Sequence, residues 1–568
     1  MPIFYNVSSG LTECAARAPY RPGIIFPAGR DLAGRSKFTQ FSFQQLEAEV
    51  NAYAHGLHDF GVQMGERVLL MVRPGVELIA VTFALVRLGA VPVIIDPGMG
   101  RRAFLQCVAE TEPALLIGIP LAHVLRRLVP RPFATVRRSI VVGEPTWLGD
   151  TALAALRREG CAQGRDPFPC APTTTESEAA VAFTSGSTGV PKGVVYLHGM
   201  FQAQIALMRD ELHIKEGEVD LALLYIFAMF NPALGVTTVI PDMDPTKSAQ
   251  VNPAHIVEAI LTHGVTNAFG SPTIWKRVVP YCQERGIRLP SLRRVLMASA
   301  PVPPSLVRAL LEDVLSPGAS VNTPFGATEA MPLTFMDGRE LVEETAARSA
   351  NGGGTCVGRP LPGITLRVIR ITDEAIPTWD ESLVLPQGAI GEIVVKGPVV
   401  TRTYLNRPQK TAEAKIQEGE DTLWHRMGDV GYFDAEGRLW FCGRKAHRVE
   451  TTQGTLFPVP CESIFNQHSD VVRTALVGAG PRGRQIPILV VEPLPGKAPR
   501  SNAERVRFTE DLLALGAAHA HTRTIGEVFF YPGIFPTDIR HNAKIQREKL
   551  AEWVGRIVGK GEVEGQRR

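Results

Sequence analysis

The sequence predicts an α/β fold: a large N-terminal domain with parallel-rich sheets flanked by helices, followed by a small, mobile α+β domain. Short apolar β-branched runs, such as 67–72 and 90–96, alternate with amphipathic helical stretches over most of the first 440 residues. Repetition of strand, helix and strand produces parallel sheets covered on both faces. Near residue 443 the composition changes to charged residues and turn formers, which places the domains at 1–443 and 444–568.

The composition of the whole chain limits the class of protein. The 568 residues allow roughly two to four domains with large cores. Sixty Lys plus Arg against 57 Asp plus Glu leave a formal net charge of +3, and this small excess does not indicate a nucleic-acid or anionic-membrane partner. A small-molecule partner is therefore expected.

Cysteine usage and hydropathy indicate the compartment. Eight scattered cysteines form no C-x-x-C pair, which argues against a zinc site or a disulfide framework and favours a reducing cytoplasm. Residues 1–19 lack the basic start and apolar run of a secretory signal. The charge-free stretch 221–241 is long enough to cross a bilayer, but Asn231, Pro232 and Gly235 interrupt it. A buried core segment flanking an apolar ligand tunnel is favoured over a transmembrane helix.

The stretch "FTSGSTGVPKGV", residues 183–194, combines glycines, hydroxyls and Lys192. Glycines let the main chain approach a ligand closely, while the hydroxyls and the ammonium group supply donors and charge for a phosphate. A plain flexible loop explains the same composition. The stretch is not a Walker loop, because Gly193 rather than Ser or Thr follows the lysine.

A second glycine pattern, "GAGPRG" at 478–483, matches the G-x-G-x-x-G fingerprint of dinucleotide-binding folds. That fingerprint requires a helix to begin at the glycines. Pro481 and the immediate return to the apolar run "IPILVVE" indicate a β-hairpin instead.

Further motifs occur in order along the chain, namely "NTPFGATEA" (322–330), "WHRMGDVGYFDAEGRLWFCGR" (424–444) and "RHNAKIQREKL" (540–550). Together with residues 183–194 they resemble, in order and spacing, the adenylate-forming superfamily of acyl-CoA synthetases, peptide-synthetase adenylation domains and luciferases. "ASAP" (298–301) and "GRPLPG" (358–363) are similar to further family elements, so the resemblance covers nearly the whole chain. It implies the adenylate-forming fold and an enzyme that uses ATP and Mg²⁺ to activate a carboxylate.

The resemblance implies which residues bind phosphate and metal. When a carboxylate attacks the α-phosphate of ATP, the charge on the phosphate oxygens must be neutralised. The family loop that covers the departing phosphates matches Thr184, Ser185, Gly186, Ser187, Thr188, Gly189 and Lys192. Thr328 would contact the α-phosphate, and Glu329 would hold magnesium because a hard cation takes carboxylate oxygen. A helix-cap carboxylate is the alternative for Glu329.

The resemblance also assigns the nucleoside contacts and a lysine of the small domain. Asp429 matches the carboxylate that accepts both ribose hydroxyls, and Arg444 matches the arginine at the domain junction. Ala300 and Pro301 would line the adenine pocket. Lys544 matches the lysine that bridges the substrate carboxylate and the phosphate during adenylation. Outside this context, Asp429 is typical of a turn and Lys544 of a solvated surface.

Departures from the synthetase pattern narrow the function. The stretch around Phe227, Ala228 and Phe230, expected to line the substrate pocket, has alanine where acyl-CoA synthetases usually have histidine. Ala446 replaces the usual Lys or Asp of the hinge, and "RHNAKI" replaces the usual "T-x-S-G-K-I". These departures resemble the branch of β-lactone synthetases of bacterial long-chain olefin biosynthesis, which acts on 2-alkyl-3-hydroxyalkanoic acids.

This branch implies ring closure without a second substrate. Once the carboxylate is an acyl adenylate, the β-hydroxyl of the same molecule is already close to the carbonyl, so closure is unimolecular and AMP leaves. A strained lactone requires a dry pocket, and other enzymes of the olefin pathway are possible partners for hand-off. His198 is a candidate base for the hydroxyl, although a structural role is favoured. A long-chain acyl-CoA or acyl-AMP ligase and a non-catalytic nucleotide-binding module remain as alternatives.

Overall fold

The computed structural model describes residues 4–161, 165–183, 191–224, 228–537 and 545–559. Its α-helices of eight or more residues are α1 (Ser9–Arg17), α2 (Phe43–Asp59), α3 (Val76–Arg87), α4 (Arg101–Thr111), α5 (Pro120–Leu128), α6 (Leu153–Gly160), α7 (His198–Glu211), α8 (Pro253–His263), α9 (Pro272–Arg285), α10 (Pro458–Phe465), α11 (Asn502–Ala517) and α12 (Arg547–Gly559). Shorter helices span Asn231–Leu234, Pro304–Ala309 and Pro408–Ala414.

A nine-stranded sheet forms the largest layer. Its strands are β1 (Pro22–Arg30), β2 (Ser36–Ser42), β10 (Val219–Ala222), β11 (Thr237–Val239), β12 (Asn267–Gly270), β13 (Arg294–Met297), β14 (Ser320–Ala327), β15 (Ala330–Asp337) and β17 (Arg359–Pro360). Their spatial order is β17-β15-β14-β13-β12-β10-β11-β1-β2. The pairs from β14 through β13, β12, β10 and β11 to β1 are parallel, and the outer pairs are antiparallel.

Both faces of this sheet are covered, as the continuous apolar strands predict. Successive side chains of a strand point to opposite faces. Ala268 and Val295 accordingly belong to a core that contains the fully buried Trp275 of α9, whereas their neighbours Phe269 and Leu296 belong to a core with apolar residues of α7.

A seven-stranded sheet repeats the same plan. Its strands are β3 (Arg67–Met71), β4 (Val91–Ile94), β5 (Leu115–Gly118), β6 (Arg138–Val141), β7 (Thr151–Ala152), β8 (Glu178–Phe183) and β9 (Gly193–Leu197). The order is β7-β6-β5-β3-β4-β8-β9, and only the β8–β9 pair is antiparallel among these neighbours. The prediction of parallel-rich sheets flanked by helices is confirmed for both large sheets.

Residues 355–444 differ from the predicted alternation of strand and helix. They form a six-stranded sheet of β16 (Thr355–Cys356), β18 (Thr365–Ile369), β19 (Gly391–Lys396), β20 (Lys415–Glu418), β21 (Thr422–Phe433) and β22 (Leu439–Arg444). Every pairing in it is antiparallel. No long crossover helix joins successive strands within these residues, and the turns from β20 to β21 and from β21 to β22 are too short for a parallel crossover.

The C-terminal region has more elements than its sequence pattern predicts. Three or four strands and two helices are expected there, whereas its described residues contain α10, α11, α12 and five strands, namely β23 (Val449–Thr451), β24 (Gly454–Leu456), β25 (Val471–Ala479), β26 (Ile486–Pro493) and β27 (Glu527–Phe530). The predicted hairpin is confirmed: β25 and β26 are antiparallel, with Gly478 opposite Pro487. Gly478 therefore belongs to β25, and Gly480 and Gly483 lie in the turn that joins it to β26, where no helix begins.

The apolar stretch 221–241 is divided among short elements. It contains the end of β10, the short helix Asn231–Leu234 and β11, and most of its described side chains are buried. Within the described ranges, no helix combines the length and the apolar character that crossing a membrane requires.

Candidate active site

The carboxyl ends of two neighbouring parallel strands bring sequence-distant residues of the predicted site to one edge. Strand β13 leads into Ala300 and Pro301, and β14 leads into Thr328 and Glu329. Ser299, between strand and pocket residues, has a left-handed φ of 74°, which turns the chain sharply at the strand end. In open α/β sheets, ligands bind outside the carboxyl ends of the strands, so this edge is the natural ligand site.

Residues 400–405, called the crossing segment below, connect this edge to the other large sheet. Val400 forms an isolated β-bridge with Ala330, immediately after Glu329, and Tyr404 forms one with Val194 of β9. The same segment follows β19 of the six-stranded sheet along the chain. All three sheets therefore meet where the crossing segment passes.

Tyr404 and Glu329 are buried at this meeting point and form a polar cluster with the half-buried Lys192. The Tyr404 hydroxyl donates to Glu329 Oε1 at 2.7 Å, and Lys192 Nζ donates to that hydroxyl at 3.1 Å. Lys192 Nζ lies 4.0 Å from Glu329 Oε1 and 4.3 Å from the centre of the Tyr404 ring. Two residues assigned from the sequence are thus brought together, and Tyr404 joins them.

Burial and charge determine the protonation states in the cluster. Burial and the adjacent Glu329 carboxylate raise the pKa of Tyr404, so its hydroxyl remains a donor. Burial lowers the pKa of Lys192, and the Glu329 carboxylate partly offsets that shift. A carboxylate held between a neutral phenol and an ammonium group suits a site for metal-bound phosphates.

A second lysine, Lys415, lies behind Glu329 and has no counterpart among the sequence assignments. Its Nζ donates to the carbonyl oxygen of Thr401, and both the amide and the hydroxyl of Thr401 donate to the carbonyl oxygen of Glu329, at 2.9 and 3.0 Å. Burial lowers the pKa of Lys415 to about 7. These bonds hold the crossing segment against the Glu329 backbone independently of the Glu329 side chain.

An aromatic series connects the phosphate side of the site to the predicted acyl pocket. The Tyr196 hydroxyl donates to the carbonyl oxygen of Thr328 at 2.6 Å. The Tyr196 ring stacks on Phe201 with centroids 5.1 Å apart, and Phe201 contacts Phe230 at 5.6 Å. Phe230 and Ala228 are buried. These rings form an apolar wall next to Thr328, and the assignment of Phe230 to the substrate pocket remains a prediction.

Asp429 and Arg444 are partners across two strands of the six-stranded sheet. They are opposite residues of β21 and β22, and Arg444 Nε lies 3.1 Å from Asp429 Oδ1. Arg444 also donates to the carbonyl oxygen of Met427 at 3.3 Å. The positive charge of Arg444 contributes to the lowered pKa of Lys192, so this pair lies within electrostatic range of the Lys192 cluster.

Several assigned residues lie outside the described residues. They are Thr184, Ser185, Gly186, Ser187, Thr188, Gly189, Phe227 and Lys544. Their roles remain predictions from the sequence. Ala300 is half-buried and Pro301 exposed, and their contact with adenine also remains a prediction.

His198 has the environment of a structural residue. Its side chain is 1% exposed, and its Nδ1 accepts the amide N–H of Val7 at 3.2 Å. Burial lowers the pKa of His198 to about 4. The neutral imidazole therefore connects the N-terminal segment to α7, which agrees with the structural role favoured from the sequence.

We expect His198→Asn to keep both adenylate formation and ring closure. The free energy of unfolding of the variant should fall less than that of the native enzyme as the pH is lowered. Between about pH 6.5 and pH 4 the unfolded chain binds a proton that folded His198 lacks, so stability falls as the pH drops through this window. The loss for one such group is about 3 kcal/mol, and asparagine does not titrate. Denaturant unfolding of both proteins at neutral and acidic pH measures this difference.

The side-chain oxygen of asparagine can take the place of Nδ1 as acceptor for Val7, which makes the substitution a mild one. A variant that forms adenylate at the normal rate but no longer closes the ring would identify His198 as the base and contradict a structural role.

The residues around Glu329 fit a magnesium ion shared with ATP. Mg²⁺ is usually bound through one or two carboxylates together with substrate phosphates. Within the described ranges, no group of three or more His, Cys, Asp or Glu side chains could hold a metal by itself. As the family resemblance implies, Glu329 would be the protein ligand, with phosphate oxygens completing the coordination, and Lys192 would compensate phosphate charge.

Comparisons with known proteins show the family of this chain. The family model described as AMP-binding enzyme matches residues 11–405. The chain is 45% identical to an olefin β-lactone synthetase from Xanthomonas campestris, over 97% of this chain and 98% of that protein. It is 46% identical to one from Stenotrophomonas maltophilia, over 96% and 98%.

Solved structures show the same fold. O-succinylbenzoate coenzyme A synthetase from Bacillus subtilis, in complex with ATP and magnesium ion, superposes with a TM-score of 0.72 at 20% identity, covering 95% of this chain and 98% of that one. The predicted adenylate-forming fold and the predicted superfamily are confirmed. The family model matches more than half of this chain, and the two relatives are similar to it over nearly their full length. The chain therefore belongs to the family of AMP-binding enzymes.

Proposed function

We propose that this enzyme is an ATP-dependent β-lactone synthetase of long-chain olefin biosynthesis. It would convert a 2-alkyl-3-hydroxyalkanoic acid into a β-lactone and release AMP and pyrophosphate. The observation that carries the proposal is the 45–46% identity, over nearly the full length, to two proteins named olefin β-lactone synthetase. A cytoplasmic location and hand-off to other enzymes of the olefin pathway are part of the proposal.

In the first step the substrate carboxylate attacks the α-phosphate of ATP. A bond forms between a carboxylate oxygen and phosphorus, and the bond from that phosphorus to the oxygen bridging to pyrophosphate breaks. Magnesium, held through Glu329, would neutralise charge on the phosphates. Lys192, Thr328 and Lys544 would contact the reacting phosphate and carboxylate groups, and the buried Asp429 would accept the ribose hydroxyls. A solved structure of the same fold is in complex with ATP and magnesium ion, which supports these two as the cofactors.

In the second step the β-hydroxyl oxygen attacks the acyl carbonyl of the adenylate. A carbon–oxygen bond closes the four-membered ring, AMP leaves with the electron pair of the broken acyl–phosphate bond, and a base takes the hydroxyl proton. Water would compete with the hydroxyl for the adenylate. The aromatic series that ends at Phe230 supports a dry pocket beside Thr328.

We also propose that residues 444–568 act as a small lid carrying Lys544. Contacts at the boundary support a lid with a restrained hinge. Lys445 Nζ lies 3.0 Å from a carboxylate oxygen of the fully buried Glu392, and Arg448 pairs with Asp373 at 2.7 Å. A rotation that moves Lys445 away from Glu392 would leave the buried Glu392 carboxylate with one partner fewer, and this loss costs free energy. An enzyme that needs no second substrate has no need of a large rotation to a thioester-forming state.

The test is a reaction with ATP, Mg²⁺ and a long-chain 2-alkyl-3-hydroxy acid in the absence of coenzyme A. We expect stoichiometric β-lactone and AMP, measured by mass spectrometry and AMP quantification. The matched control substrate is the 2-alkyl acid without the hydroxyl group, which should form adenylate but no lactone. A strict requirement for coenzyme A would instead support the acyl-CoA ligase alternative.

A further inference from the structure

The apolar stripe of helix α5 faces solvent instead of the core. Leu121, Val124 and Leu128 have exposed fractions of 69%, 37% and 76%. Their spacing of three and four residues puts them on one face of the helix. Ala122 and His123, on the opposite face, are buried. A short amphipathic helix normally buries its apolar stripe, so this orientation requires an explanation.

Trp147 extends the same exposed surface. It belongs to a one-turn helix, Thr146–Leu148, and its side chain is 70% exposed. The guanidinium carbon of Arg127 lies 5.3 Å from the indole centre, and Arg127 donates to the carbonyl oxygen of Leu148 at 3.3 Å. Trp147 is thus held beside α5. The four apolar side chains Leu121, Val124, Leu128 and Trp147 are called the α5 surface below.

The surroundings of the α5 surface are basic. Residues 120–150 contain five arginines but only two acidic residues. Among the arginines, Arg127, Arg131 and Arg137 are exposed. Arg138 pairs with the carboxylate of Glu66, so four arginines remain against the carboxylates of Glu144 and Asp150. The nearly balanced charge of the whole chain therefore hides a local positive patch around exposed apolar side chains.

We propose that the α5 surface docks this enzyme onto the surface of a membrane that contains anionic lipids. Exposed leucines, valine and tryptophan would enter the boundary between headgroups and acyl chains, as interfacial amphipathic helices do. Tryptophan is suited to that boundary because its ring is apolar and its N–H is polar. The flanking arginines would meet negatively charged headgroups, which makes the charges complementary.

A substrate with two alkyl chains partitions into a bilayer, so an enzyme docked on a membrane would be close to it. This advantage rests on the proposed function, whereas the docking itself does not. A second copy of the chain is a rival occupant of the α5 surface. The lipid surface is favoured because a twofold contact of this patch would bring the arginines of both copies together, and like charges in an interface are unfavourable.

The experiment is co-sedimentation of the full-length enzyme with two kinds of vesicle, phosphatidylcholine alone and phosphatidylcholine mixed with phosphatidylglycerol. We expect binding to the mixed vesicles that weakens with added salt. The triple variant Leu121→Ser, Val124→Ser, Leu128→Ser should lower the partition coefficient at least about tenfold, since three apolar side chains lose their burial. Leu32→Ser is the matched control, because Leu32 is fully exposed in the β1–β2 connection, and it should bind like the native enzyme.

A second measurement follows Trp147 by fluorescence, with Trp147→Phe as the reference. We expect a blue shift on adding mixed vesicles that disappears in the reference variant. Adenylation of a short, water-soluble acid without vesicles should be equal in the native enzyme and the triple variant, which verifies folding.

Equal vesicle binding by the native enzyme and the triple variant would overturn the proposal. Equal binding of the native enzyme to vesicles with and without phosphatidylglycerol would also overturn it. If the native enzyme bound no vesicles but dimerised with increasing concentration, and the triple variant did not dimerise, the α5 surface would be assigned to a second copy of the chain. Failure of the β-lactone assay leaves these results unaffected, so the two proposals are tested separately.

Discussion

Replacing Glu329 with glutamine is expected to slow adenylate formation about 100-fold or more, the scale of losing one preorganised charge contact in a site of this kind. The substitution removes the negative charge that would bind magnesium. It keeps a side-chain oxygen that can accept the hydrogen bond from the Tyr404 hydroxyl, which is 2.7 Å long in the native enzyme. At residue 329, Thr401 bonds to the backbone carbonyl, which the substitution leaves unchanged. The local structure should therefore persist while metal-dependent activity falls.

ATP–pyrophosphate exchange at increasing Mg²⁺ concentration measures this effect. We expect the variant to require more magnesium and to remain slower at saturation. Glu312→Gln is the control, because Glu312 forms an exposed ion pair with Arg308 at 3.6 Å, and exposed pairs contribute little to stability. A Glu329→Gln variant with native magnesium dependence would show that Glu329 is only a structural carboxylate.

Lys544→Ala is expected to slow adenylate formation by a similar factor, about 100-fold or more. The reason is chemical: a lysine that bridges the carboxylate and the α-phosphate orients the nucleophile and compensates charge where the new bond forms. Release of pyrophosphate during the first turnover measures the step directly. Binding of ATP should change much less, because the other phosphate contacts are assigned to different residues.

Lys549→Ala provides the control for this variant. Lys549 is an exposed residue of α12, five positions further along the chain, and its loss should leave pyrophosphate release unchanged. If Lys544→Ala also released pyrophosphate at the native rate, the lysine would have no role in the first step, and the assignment from the sequence would be wrong.

Much of the site could be predicted because its chemistry is concentrated in short motifs. Thr328 and Glu329 are adjacent in one motif, and Asp429 and Arg444 lie in another. A motif fixes the residue types that a phosphate, a metal or a ribose requires, and the local strand end presents them to the ligand. The same applies to Lys192, which ends the glycine-rich stretch.

Other residues of the site could not be found in this way. Tyr404 contacts Lys192 from 212 positions away and Glu329 from 75 positions away. Neither Tyr404 nor Lys415 belongs to a pattern that distinguishes it from an ordinary strand or surface residue. The antiparallel sheet of residues 355–444 is also not predictable from its pattern, because period-two alternation is weak in strands that are buried on both faces.

The sequence by itself determined the family, the presence of parallel-rich sheets flanked by helices and the types of group that would act on ATP, since these depend on local patterns and on motif chemistry. Only the tertiary structure decided how those groups meet. Three sheets converge at the crossing segment, so Tyr404 and Thr401 can hold Glu329 beside Lys192. The tertiary structure also decided that the apolar stripe of α5 faces outward. The spacing of the apolar residues puts them on one face of the helix, but the packing of the helix determines which way that face points.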